Sequence, residues 1–70
     1  MKKADWIKVL EAKVEEKFNP DDVDGFESPA PLLKLGILSD MYDEDFPMES
    51  EKHFAYDELA RSYAVQLPWN

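Results

Sequence analysis

The sequence predicts an all-α fold: a compact three-helix domain with a central apolar helix and acidic loops. Two stretches carry apolar residues at helical spacing, a third between them is apolar on every side, and the joining segments are rich in proline and acids. Seventy residues make one domain, 1–70, close to the smallest that folds without staples. No cysteine is present, so aliphatic and aromatic packing has to supply the stability, from a chain that is 44% hydrophobic and 13% aromatic.

The first helix is expected over about 4–18. Trp6, Ile7, Leu10, Val14 and Phe18 fall within about a third of the circumference at 100° per residue, with Val9 alone on the far side. Asn19-Pro20 ends it. A loop follows, holding Asp21, Asp22, Asp24, Gly25 and Glu27. Ser28 as N-cap and Pro29 in the first helical position start a second helix over 29–42, because proline's missing N–H has no partner to lose there. Its run "LLKLGILSDMY" points to packing on more than one side, and Gly36 to a close approach by a neighbour. "DEDFPMES" reads as an acidic connector with Phe46 tucked into the core. The third helix spans about 51–67, with Tyr56, Leu59, Ala60, Tyr63 and Leu67 on one stripe. Phe54 and Val65 lie off that stripe, and Phe54 is expected to pack against the preceding loop. Pro68 stops the helix and leaves a tail, 68–70, carrying Trp69.

Charge is the most informative global property. Sixteen acids against eight basic residues give a net charge of −8. Through Lys17 five lysines face four acids; from Phe18 onward twelve acids face Lys34, Lys52 and Arg61. Phosphate attraction needs clustered Lys and Arg, so direct nucleic-acid binding and binding to anionic membranes are both disfavoured. No apolar run approaches the roughly 20 residues of a membrane span, and the charged N-terminal stretch is unlike a signal peptide, which sets the expectation of a cytoplasmic protein.

Catalytic and metal chemistry find little support. Setting Gly25 at the sixth position of an EF-hand loop puts Pro20 at the first and Pro31 at the twelfth, where carboxylate ligands belong, so no metal site is expected. His53 is the only histidine and has no second histidine or cysteine to share a metal. Ser28, Ser39, Ser50 and Ser62 lack a nucleophile elbow or S-x-x-K neighbour, so no enzyme activity is expected.

"GFES" from Gly25 to Ser28, the apolar helix after it, and "YDEDFP" from Tyr42 to Pro47 resemble the acyl and peptidyl carrier proteins, acidic helical domains of similar size. Their G-x-D-S-L motif presents a serine bearing phosphopantetheine at the start of the second helix. The resemblance implies that Ser28 carries the prosthetic arm, with Glu27 in place of the usual aspartate. It covers residues 25–47; Pro29 stands where the family has leucine, and the first loop is shorter than the family's.

The reading from the residues themselves is a non-catalytic acidic protein-binding domain, without a cofactor. Carboxylates on a rigid bundle imitate the phosphates of a nucleic acid, so an inhibitor or mimic that blocks a basic site on a DNA- or RNA-handling protein fits best. Composition adds a loose analogy with small acidic inhibitors, virus-encoded ones among them. The partner is then a protein with a basic surface, met by a monomer or small homo-oligomer. The expected contacts are Asp40, Asp43, Glu44, Asp45 and Glu49 around the second connector, with Asp21, Asp22, Asp24 and Glu27 of the first loop beside them and Trp69 as an anchor. The alternatives are a carrier protein modified on Ser28 or a small structural subunit.

Overall fold

The computed structural model describes residues 1–69; the last residue of the expected tail, Asn70, lies outside them. Three helices follow in order: α1 (Lys3–Lys17), α2 (Ala30–Asp45) and α3 (Ser50–Ala64), with a 3-10 turn at Pro20–Asp22. All three pack on one another. Lys34, near the start of α2, lies over the ring of Tyr63, near the end of α3, whereas Asp45 at the end of α2 meets Lys52 at the start of α3; these two helices are antiparallel. Glu51 and Lys3 join the starts of α3 and α1, which run parallel.

The core is Leu10 and Val14 of α1, Leu38 and Met41 of α2, and Ala55, Tyr56, Leu59 and Tyr63 of α3. Trp6, Ile7, Leu35, Ile37, Tyr42 and Ala60 pack against it half-buried. The helical stripes of α1 and α3 therefore face inward as their spacing predicts. The apolar surplus of α2 does not all reach the core, and Leu32 stays exposed.

Helix ends differ from expectation for identifiable reasons. Ser28 does not cap α2: its N–H and C=O are both engaged by Asp24, at 2.8 and 2.9 Å, and the extended Pro29 intervenes before the helix begins at Ala30. Pro31 falls in the first turn, where its missing N–H loses nothing. At the other end α2 continues three residues past Tyr42. The Tyr42 ring packs edge-on to Tyr56 at 5.3 Å, and the Lys52 ammonium offsets the unfavourable placement of Asp45 at a helix C-terminus. Proline at 47 then forbids further helix, and Phe46 turns the chain in the left-handed region, φ 42°. Helix α3 stops at Ala64, earlier than expected, because the residue before Pro68 is driven out of the helical region. Gln66 and Leu67 instead bond to carbonyls three residues back, and the Gln66 amide donates to the Ser62 carbonyl at 3.0 Å.

Three packing expectations fail. Phe46 is 67% exposed rather than tucked in, because its left-handed backbone carries the ring off the end of α2. Phe54 is 54% exposed on the outer side of α3, its ring edge-on to that of His53, rather than covered by the preceding loop. Gly36 has nothing within 4 Å of where a Cβ would stand, so no close helix approach explains it.

Candidate protein-binding surface

The antiparallel course of α2 separates the two acidic loops. Sixteen helical residues span about 24 Å at 1.5 Å each, and the loops lie at opposite ends of a body 36 Å long. The second-connector acids are therefore not beside the first-loop acids, as the sequence reading expected. Trp69 follows the C-terminal end of α3 and shares the end of the first loop, away from the connector.

In the first loop several polar groups hold the loop itself. The Asn19 side chain accepts the Asp21 N–H at 3.0 Å and opens the 3-10 turn. Asp24 accepts the N–H groups of Phe26 and Glu27 at 2.9 and 3.3 Å, an aspartate turn that closes on the backbone bridge to Ser28. This tight tip leaves Phe26 88% exposed. Asp21, Asp22 and Glu27 are exposed, and their carboxylates have no ion pair or hydrogen bond among the described residues.

The connector end is built from all three helices. Glu51 accepts the Lys3 N–H at 2.8 Å, satisfying one of the unpaired donors at the start of α1. Glu49 lies 3.6 Å from the N-terminal ammonium. Asp45 is 2.5 Å from Lys52 and accepts the Tyr56 O–H at 3.2 Å. The Lys52 ammonium, helped by the Tyr56 hydroxyl and opposed by partial burial, holds the Asp45 carboxyl below the usual aspartate range. In return, burial first and the Asp45 charge second push the Tyr56 phenol up to about 12. Asp45, Glu49 and Glu51 are thus each engaged within the chain. Asp40, Asp43 and Glu44 are exposed, and their carboxylates stay unpaired among the described residues.

Beside those three acids the connector projects Phe46 and Met48, the latter 87% exposed. Sequence reasoning placed Phe46 inside and passed over Met48; the signal was the proline between them, which ends α2 and holds both residues off the bundle. Behind the connector an open groove of about 550 Å³ is floored by Met41 and Tyr56 and rimmed by lysines and carboxylates in equal number. Among the described residues, no group of three or more metal-ligating side chains converges, and no helix is long and apolar enough to cross a membrane. No protein-family model, curated protein or solved structure matches the chain.

Proposed function

We propose that this domain is a non-catalytic acidic protein-binding module that occupies a basic site on a DNA- or RNA-handling protein, as an inhibitor or nucleic-acid mimic. The observation that carries the reading is the pairing of free carboxylates with exposed apolar side chains at the connector end. Asp40, Asp43 and Glu44 fall within about 100° of the circumference and about 6 Å of the rise of α2, so they form one dense patch of negative charge on a single helix face. Phe46 and Met48 add the apolar anchors that a mimic needs beyond charge, since interface energy concentrates in desolvated side chains. Asp45 is a support for this surface rather than a contact, because Lys52 and Tyr56 hold it.

The test is capture from an extract of the cells that make the protein, with immobilised domain and duplex DNA or RNA as competitor. A retained nucleic-acid enzyme that the competitor displaces, and that the triple variant Asp40→Lys/Asp43→Lys/Glu44→Lys no longer retains, is the expected result. Retention unaffected by the competitor and by the triple variant would refute the mimicry.

A further inference from the structure

Helix α3 carries a second apolar and charged stripe on the side away from the core. Taking Phe54 as zero at 100° per residue, Glu58, Arg61 and Val65 fall within about 40° of it, whereas the buried Ala55, Tyr56, Leu59 and Tyr63 lie at about 100° to 200°. Phe54 is 54% and Val65 72% exposed, and neither is used by the bundle core. Val65 keeps right-handed helical backbone at the end of α3, so it continues the stripe. Arg61 is the only arginine of the chain and has no ion pair among the described residues, whereas Glu58 lies 3.6 Å from Lys3 of its own chain in an exposed pair, which it must exchange for any contact with a second copy. It borders a shallow depression of about 350 Å³ with Lys3, Phe54, Asp57 and Glu58.

The order of this stripe is self-complementary. The spacings from Phe54 to Glu58 to Arg61 to Val65 are four, three and four residues, which keeps all four on one helix face, with apolar residues at the ends and opposite charges in the middle. Turning a second α3 end for end about the midpoint of the stripe sets Phe54 against Val65 and Glu58 against Arg61, and two-fold symmetry makes each of these pairs twice.

We propose that α3 is the contact face of an antiparallel homodimer, in which Phe54 packs on Val65 of the second copy and Glu58 pairs with its Arg61. The stripe covers one helix face only, about half of the roughly 800 Å² per partner typical of stable complexes, so the dimer is weak and concentration-dependent. Contact between two chains of net charge −8 weakens it further. This inference is independent of the connector surface, which points from the end of the bundle and stays open in the dimer.

Sedimentation equilibrium of the full chain tests it. The weight-average mass should rise from 8.2 kDa toward twice that value as the concentration increases from about 10 μM to about 1 mM. Glu58→Arg and Arg61→Glu, each alone, should stay monomeric with unchanged helicity, because each brings like charges together. An equimolar mixture of the two variants should dimerise again, since every pair across the seam is then opposite in charge. A chain that stays at 8.2 kDa across the range, a dimer that either single variant leaves intact, or a mixture that stays monomeric would each overturn the proposal.

Discussion

Two buried tyrosines on α3 should respond in opposite directions to loss of their hydroxyls. The Tyr63 hydroxyl is buried without a hydrogen-bond partner among the described residues, whereas Tyr56 donates to Asp45 at 3.2 Å. An unpaired buried hydroxyl costs about 1–3 kcal/mol, so Tyr63→Phe should stabilise the domain by about 1 kcal/mol after allowance for a small rearrangement. Tyr56→Phe removes a bond to a charged acceptor and should destabilise it by about 1–2 kcal/mol. The same residues govern alkaline stability. Burial, then the charges of Glu11 and Glu15, push the Tyr63 phenol up to about 12, and Tyr56 also stands at about 12, from 10.0. Between those values the unfolded chain loses its phenolic protons first, so stability that is complete below pH 10 falls as pH rises through 12. Two units at 1.36 kcal/mol each give about 3 kcal/mol per tyrosine. The pair together approaches the roughly 4–10 kcal/mol expected for a chain of this length, and unfolding should accompany phenolate formation near pH 12. Urea titrations followed by circular dichroism at pH 8 and pH 11 measure both effects. The reasoning is refuted if Tyr63→Phe destabilises by more than about 1 kcal/mol at pH 8, or if it loses as much stability as the parent between the two pH values.

Gly36→Ala meets open space inside α2 and should stabilise by about 1 kcal/mol, raising the urea midpoint without changing the slope. Phe46→Gly relieves a left-handed aromatic residue and should stabilise by about 1 kcal/mol in the same titration, while weakening capture of the partner. Because Lys52 lowers the Asp45 pKa in the fold, the stability Asp45 contributes is present above the unfolded value, 3.8, and is lost as pH falls through the lower folded value. Lys52→Met should therefore flatten the acid limb of the stability profile; an acid limb as steep as the parent's would exclude this pair as its source.

Periodicity made most of the fold legible. The stripes through Leu10 and Val14 and through Tyr56, Leu59 and Tyr63 are long enough to fix which face turns inward, and those residues form most of the core. Local chemistry at the joins was harder to read, because each join is decided by competition. Ser28 had a capping side chain and a proline after it, but the Asp24 turn engaged its backbone first. Phe46 looked like core because it is aromatic, yet Tyr42 and Asp45 extended α2 to its doorstep and Pro47 left no inward path. The separation of the acidic loops was invisible for a different reason: it depends on the length and direction of α2, and charge composition carries neither. Phe54 and Val65 were recognised as misfits to their helix, but their pairing with Glu58 and Arg61 emerges only once α3 has a defined outer face.

Three features of this domain oppose its stability, and they differ in what can explain them. The Tyr63 hydroxyl is buried near the far end of α3 and Gly36 lies one turn before Asp40 on α2; neither is one of the proposed contacts, and removing either should leave binding untouched. Phe46 combines backbone strain with an exposed ring beside three unpaired carboxylates. If all three substitutions stabilise and only Phe46→Gly also loses the partner, the strain at Phe46 is tied to the binding surface, whereas the other two are positions that merely cleared the stability threshold. If Phe46→Gly stabilises and binds as before, Phe46 is an ordinary strained turn residue and the contact must be made by Met48 and the carboxylates of α2. The comparison needs no knowledge of the partner's identity, only its retention, and it separates a strained binding element from a small core with room for improvement.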